Sequence, residues 1–351
     1  MENKRRVIVD FERMKYPYTG LYTFCKELGL ALTRNNSTNT NLVLYIPAKE
    51  LSTFGSNANI LKQSTAHKLF KSALSNCEVW HTTHQASAYL PGKQKVKIVA
   101  TIHDLNFLHG DKNVLKIKKY LGRLQRLIDR ADHIVAISNF VKEEIISNMN
   151  THGKLIDVVY NGRNTIPPVF TKPGDIDDTP FFFAVGTIAR KKNFHVLPAM
   201  LCNNDLNLVI AGITQDENYK QKIFNEAKIL GVENRVKLIG TVTEEEKYWL
   251  LKNCRAFAFP SIAEGFGLPV IEAMQLGTPV LLSKATSLPE IGGPHALYFD
   301  DLSTESVKAS TAKLLRTNFS LKDRENIIAW TEKFSWDHAA KSYLEIYNSF
   351  S

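Results

Sequence analysis

The sequence is poor in cysteine, has no long apolar run and carries no acidic excess. Its four cysteines, Cys25, Cys77, Cys202 and Cys254, lie far apart and form no C-x-x-C. That argues against a disulfide scaffold, a cysteine zinc site and a thiol redox pair, and it fits a reducing compartment, so a cytoplasmic location is expected. No stretch approaches the roughly 18 apolar residues of a membrane span. Among the most apolar, PFFFAVGTIA, breaks at Gly186 and Arg190. The cations at positions 4–6 precede VIVDF, too short for the apolar region of a leader, so this start reads as a first strand and no leader is expected.

What is present is basic charge, unevenly placed. The net charge is +9; residues 1–168 hold 24 Lys and Arg against 13 Asp and Glu, whereas residues 169–351 hold 20 against 22. The first half therefore suits an acidic partner: nucleic acid, an anionic membrane surface or an acidic acceptor. At 351 residues, 44% of them hydrophobic, the chain is comfortable as two soluble domains.

The most informative stretch is AFAFPSIAEGFGLPVIEAMQLGTP, Ala256 to Pro279. Ala256 to Phe259 has strand length and ends at Pro260-Ser261. A loop with Gly265 and Gly267 follows, Pro269 suits a first helical turn, and Gly277-Thr278-Pro279 closes the helix after about two turns. A strand, a glycine loop and a helix start present free N–H groups and the positive end of a helix dipole to an anion. Glu264 and Glu272 bracket the loop with seven residues between them, and carboxylates accept hydrogen bonds from hydroxyl pairs, so a phosphorylated polyol is the natural guest. A dinucleotide turn is disfavoured, because Val270 stands where the third glycine of G-x-G-x-x-G belongs.

EGFGLPVIEAM resembles the E-x7-E motif of the retaining glycosyltransferases of family 4, and the likeness runs on through LGTPV and SLPEIGG. The resemblance implies the GT-B fold. It also implies that Glu264 touches the donor sugar, that Glu272 touches the ribose, and that the helix start near Phe266, Gly267 and Leu268 serves the phosphates. No divalent metal is then required, no D-x-D constellation to hold one is read in the sequence, and no cofactor is expected.

The rest of the chain alternates strand and helix. Arg5 to Phe11 is a strand, Tyr16 to Gly20 a turn, and Leu21 to about Arg34 a helix with Phe24, Cys25, Leu28 and Ala31 on one face. By resemblance Gly20 belongs to a loop that approaches the donor diphosphate; from the residues alone a helix-entry turn serves as well. Residues 48–76 read as a polar, helix-rich connection. Cys77 to Trp80 reads as a strand, with His81 and His84 just past it. Two histidines without a third ligand argue weakly for metal; the resemblance places them near the acceptor. VKIVATIHDL is a strand ending at His103 and Asp104. TIHDL resembles the family segment whose His lines the cleft beside the donor sugar, which makes His103 a catalytic candidate and Asp104 an acceptor candidate. Residues 112–130 form a basic amphipathic helix with Val114, Ile117, Tyr120, Leu121, Leu124, Leu127 and Ile128 on its apolar face, either packed with a solvated outer side or placed for docking on anionic lipid or a charged acceptor.

Asn161-Gly162 turns out of the first half, and about 163–180 is a Pro- and Asp-rich linker. The second half restarts with the strand Phe181 to Val185. Arg190, Lys191 and Lys192 then lie in a loop expected to lead into a helix, where fixed positive charge meets charge developing on a leaving diphosphate. The loop resembles the family's G…R-K-N segment, with Lys191 in the Arg position, Lys192 in the Lys position, and Arg190 available as a substitute. Gly240-Thr241-Val242 resembles the turn beside the nucleobase, which makes Thr241 and Val242 donor-binding candidates. The tail from about Ser303 is helical, and Phe334-Ser335-Trp336 with the last helix resembles the segment that returns to the first domain.

Two runs of alternating strand and helix imply two doubly wound α/β domains. The expected division is 1–168 as acceptor domain, 169–333 as nucleotide-sugar domain and 334–351 as a returning helix. The expected fold is α/β, GT-B, with two facing Rossmann-like domains. The expected reaction moves a sugar from a nucleotide-diphosphate sugar to a hydroxyl of a glycan or lipid-linked acceptor, with His103, Glu264 and Lys192 as catalytic candidates. Bacterial cell-surface polysaccharide or lipid-linked glycan assembly is the expected setting. The resemblance, not the residues, implies retention, with the leaving phosphate taking the acceptor proton. Alternatives are another GT-B enzyme, an epimerase or an inverting transferase, or a non-catalytic basic nucleic-acid-binding protein. The last would need base-stacking aromatics, and the 112–130 helix offers only Tyr120, so no nucleic acid is expected.

Overall fold

The computed structural model describes residues 4–17, 19–36, 40–92, 95–110 and 113–350; Tyr18 of the expected turn and Lys112 of the expected helix lie outside them. The chain divides into two compact units, Met1–Gly162 with Phe334–Ser351, and Arg163–Lys333.

The first unit is built on seven strands: β1 Arg5–Asp10, β2 Thr40–Ile46, β3 Ile60–Lys62, β4 Val79–Thr82, β5 Lys97–Ile102, β6 His133–Ala136 and β7 Ile156–Val158. All pair in parallel, in the order β3-β2-β1-β4-β5-β6-β7. Parallel strands covered on both faces need apolar residues on both, and the central strands have them: β4 is buried throughout and β5 from its second residue on. Three helices follow strands, α1 Gly20–Asn35, α2 Val114–Arg130 and α3 Asn139–Asn148. Each starts on a side-chain cap, from Thr19, Asn113 and Ser138 respectively. The connection expected to be helix-rich holds instead three short 3-10 turns and the edge strand β3. Three residues with modest alternation are too short a signal to read as a strand.

The second unit has six parallel strands: β8 Phe181–Val185, β9 Asn207–Ala211, β10 Val236–Gly240, β11 Ala256–Phe259, β12 Val280–Leu282 and β13 Leu297–Tyr298, in the order β10-β9-β8-β11-β12-β13. Its helices are α4 Glu217–Ile229, α5 Glu244–Asn253, α6 Leu268–Gln275, α7 Leu288–Gly292, α8 Thr304–Arg316 and α9 Leu321–Trp330. Phe182, Leu208, Ile210 and Ala258 form a solvent-free core with Phe194, Met200 and Ile223 from the elements above them. Gly212 ends β9 at φ +143°, and a β-carbon there would lie 1.9 Å from the carbonyl oxygen of Gly186. Two strand ends meet here with room for hydrogen alone. Gly212→Ala is expected to lower stability by about 2–3 kcal/mol through overpacking. A urea midpoint equal to that of the native chain would refute this.

The last helix, α10 Trp336–Ser349, belongs to the first unit. It lies against α1, and its buried tyrosines reach the sheet: Tyr347 Oη is 2.6 Å from His81 Nδ1, and Tyr343 Oη is 2.8 Å from Thr101 Oγ1. Gly162 leaves no space beside Trp336, since a β-carbon there would be 2.1 Å from the Trp336 amide nitrogen. Both units thus carry the doubly wound α/β architecture read from the sequence.

Candidate functional site

In the second unit Glu264, Phe266 and Gly267 lead into α6, which carries Leu268 and Glu272, and Lys192 meets Glu264. Gly267, at φ +110°, turns the chain into that helix, and no side chain caps its start. The Val270 N–H donates to the Gly267 carbonyl and Pro269 has no N–H, so the Leu268 N–H opens the helix towards an anion. The loop before it is held from behind. Ser287 Oγ donates to the Glu264 and Phe266 carbonyls at 3.0 Å each, and the Glu264 N–H donates to Thr286 Oγ1 at 2.9 Å. Phe266 and Gly267 are buried there, and Leu268 is half-buried.

Three cations follow β8, and their surroundings differ. Lys192 is buried, and its Nζ lies 2.5 Å from Glu264 Oε1 and 4.6 Å from the centre of the Phe259 ring. Gly186 makes this possible: a β-carbon there would press on the Lys192 stem at 3.1 Å. Burial, with repulsion from Lys191, outweighs the attraction of Glu264 and lowers the Lys192 pKa below the usual lysine value. Burial would raise the Glu264 pKa, but Lys192 and Lys191 outweigh it and hold the carboxyl below its ordinary value. Arg190 is exposed and turns to Asp216, 3.5 Å away. Lys191 is exposed, with its carbonyl accepting from the Ile262 N–H. These residues form a 3-10 turn, not the entry to an α-helix as expected. Asn193 takes the left-handed conformation at φ +57°, and the next helical stretch, Phe194–Leu201, is again 3-10 with Pro198 inside it.

Glu272 is buried in α6, and both its bonds to described residues fall on one oxygen: Oε1 accepts from Lys247 Nζ at 2.9 Å and from Asn164 Nδ2 at 2.7 Å. Lys247, Asn164, Thr286 and Ser287 were not singled out from the sequence; SLPE carried Ser287 within a motif, whereas nothing local marks Lys247. Thr241 is exposed and Val242 half-exposed after Gly240, itself at φ +72°.

In the first unit Gly20 opens α1, exposed, with nothing within 4 Å of where a β-carbon would stand. His103 comes just past β5, buried, its Nε2–H donating to the Thr83 carbonyl at 2.7 Å. Burial lowers its pKa to about 4, so the ring is neutral at pH 7. Gln85 joins the pair beside it, accepting from the His103 N–H at 3.0 Å and donating to the Asp104 carbonyl at 2.9 Å. Half-buried Asp104 also takes the Asn106 N–H on Oδ1. The His84 ring stands 5.4 Å from that of His103 and accepts the Ala86 N–H. Asp10, unnoticed in the sequence, is fully buried at the end of β1, bonded to Ser87 and Gln63, and burial raises its pKa to about 7. His81 is a correction: it lies inside β4 rather than past it, fully buried, with Nε2 2.8 Å from Thr101 and Nδ1 on Tyr347. One nitrogen is taken by α10 and the other by the neighbouring strand β5.

The helix α2 also differs from its reading. Leu124, Leu127 and Ile128 are buried and Ile117 and Leu121 half-buried, but Val114, Leu115 and Tyr120 are exposed near the first turns. The expectation that the sequence holds no D-x-D is corrected, since Asp175-Ile176-Asp177 is a literal one; Asp177 is exposed and ion-paired with Lys237 at 2.5 Å. Among the described residues no three His, Cys, Asp or Glu side chains are placed to hold a metal ion.

The family description "Glycosyl transferases group 1" matches residues 168–334, and "Glycosyltransferase Family 4" matches residues 33–166. The chain belongs to glycosyltransferase family 4. The O-antigen chain mannosyltransferase B of Escherichia coli is 24% identical, covering 97% of this chain and 99% of its own. The MMP alpha-(1->4)-mannosyltransferase of Mycolicibacterium hassiacum is 28% identical over 66% of this chain and 58% of its own. Among solved structures, Anabaena Alr3699/HepE in complex with UDP and glucose aligns with TM-score 0.74 at 16% identity, covering 99% of this chain and all of that one. This family 4 glycosyltransferase thus has the GT-B fold.

Proposed function

We propose that this glycosyltransferase is a retaining, metal-independent mannosyltransferase acting on a glycan or lipid-linked acceptor in cell-surface polysaccharide assembly. The observation that carries the reading is the buried Lys192–Glu264 pair beside the uncapped start of α6. Such an arrangement suits a sugar–phosphate bond that is about to break. The mannosyl group is supported by the names of the Escherichia coli and Mycolicibacterium relatives, and retention by the alpha-linked product in the second name.

In this reading the bond from the anomeric carbon to the β-phosphate oxygen breaks, and its electron pair stays on the phosphate. The acceptor oxygen bonds to the anomeric carbon and passes its proton to the phosphate. Lys192, Lys191 and the Leu268 N–H stabilise the leaving charge, with Arg190 held back by Asp216. Glu264 takes donor-sugar hydroxyls, Glu272 the ribose pair, and the turn at Thr241 and Val242 the base. Gly20 completes the donor residues, His103 is the catalytic histidine beside the donor sugar, and His84 and Asp104 serve the acceptor. The exposed basic start of α2 favours peripheral contact with anionic lipid on the cytoplasmic side. Pelleting with anionic vesicles at low salt checks that contact, and a chain that stays in the supernatant speaks against it.

Calorimetric titration with GDP-mannose, UDP-glucose and UDP-N-acetylglucosamine in EDTA tests the donor reading. One donor is expected to bind selectively, with Glu272→Ala weakening it at least about 10-fold, the loss of charge-assisted hydrogen bonds. Binding that appears only with added divalent metal would overturn metal independence. NMR of the product anomer separates retention from inversion.

A further inference from the structure

Three segments of the second unit converge on a single oxygen atom. Lys247, the fourth residue of α5, and Asn164, near the start of the unit, both donate to Glu272 Oε1, and no described residue bonds to Oε2. Each donor is itself fixed. The Asn164 carbonyl accepts from Gln275 Nε2 at 3.1 Å, on the turn of α6 that follows Glu272. Lys247 also reaches Glu244 Oε2 at 2.9 Å, and α5 is anchored by a reciprocal cap between Thr243 and Glu246. The two acids are not equivalent to Lys247: the Glu244 side chain is 64% exposed and that of Glu272 5%. Burial works against the Lys247 charge, and the carboxylates of Glu272 and Glu244 outweigh it, so its pKa stands above the usual lysine value.

A carboxylate accepts through two oxygens, about two bonds each. Two donors on Oε1 fill that oxygen and fix the plane of the group, which leaves Oε2 to receive hydroxyls. We propose that Lys247 and Asn164 are positioning residues for nucleoside recognition, holding Oε1 of Glu272 so that Oε2 is presented to the ribose hydroxyl pair. This rests on the reading of Glu272 as the ribose acid given above. Neither residue touches the ligand; each acts through Glu272.

The test compares a nucleoside diphosphate with its 2′,3′-dideoxy counterpart, using whichever of UDP, GDP and ADP the native chain binds. Calorimetry on native protein, Lys247→Met, Lys247→Arg and Asn164→Ala gives eight dissociation constants. Lys247→Met is expected to weaken the ribose form about 10- to 100-fold, the range for a hydrogen bond to a charged group. The dideoxy form, which has no hydroxyls to lose, should change less than about 3-fold. Lys247→Arg should restore most of the ribose preference, and Asn164→Ala should show the same selectivity at about 3- to 10-fold, which keeps the test open should Lys247→Met fail to fold. Equal weakening of both nucleotides, or an unchanged ribose preference in a folded Lys247→Met or Asn164→Ala, overturns the positioning role and leaves a structural ion pair. Failure of the native chain to bind any nucleoside diphosphate overturns the donor-site reading itself.

Discussion

Lys192→Ala is expected to cut kcat for sugar transfer by about 10²–10³-fold, the loss found when a preorganised donor to a developing oxyanion is removed. Its neighbours differ in exposure and partners, and the expected effects follow that order. Lys191 is exposed and backbone-anchored to Ile262, so Lys191→Ala should cost about 10-fold, whereas Arg190 faces Asp216 and Arg190→Ala should stay within about 3-fold. The Lys192→Ala variant also strands Glu264, whose side chain is only 13% exposed. Removing one member of a buried pair leaves an uncompensated charge. The double variant Lys192→Ala with Glu264→Ala should therefore melt higher than Lys192→Ala alone while remaining inactive. Steady-state kinetics beside thermal melts check both points. A folded Lys192→Ala with native kcat would sink the assignment.

The second large effect is on stability in acid. His81, His84 and His103 are held neutral mainly by burial, His81 to a pKa of about 3, His103 to about 4 and His84 well below its usual value, with the charges of neighbouring His103 and Arg13 acting in the same direction on His84. A histidine depressed in the folded state stabilises fully above its unfolded pKa near 6.5, and that contribution is lost as pH falls towards the folded value. For His81 alone the loss is on the order of 4 kcal/mol by pH 3. Asp10 opposes this: its pKa is raised to about 7, so its contribution is present in acid and lost as pH rises through 7. Three histidines against one aspartate leave the net slope positive between pH 4 and 6.5, so the first unit should melt progressively lower as pH falls through that range. His81→Gln, which keeps a donor and an acceptor for Thr101 and Tyr347, should flatten the slope. Melting temperatures that stay constant from pH 7 to pH 4.5 would show that the buried histidines take protons without cost.

The residue pattern along the chain specified the two doubly wound α/β units, because burial on both faces of a parallel sheet writes continuous apolar runs such as FFFAV and AFAF, and glycine and proline mark their ends. It determined the turn into α6 as well, since Gly267 and Pro269 are local requirements of that geometry. Tertiary structure alone decided which charge meets which. Lys192 on Glu264, Arg190 on Asp216 and Lys247 on Glu272 are separated by 72, 26 and 25 positions, and nothing in the local pattern distinguishes one cation of a run from the next. It also decided that His81 serves the packing of α10, because its partner Tyr347 lies 266 residues away. The exposed start of α2 carries the same lesson, since periodicity identifies an apolar face but not how much of it a neighbouring element covers. Backbone pattern is set by short-range sterics and burial, and is therefore written along the chain. Pairing of side chains is set by distance in space, and only the folded chain brings those atoms together.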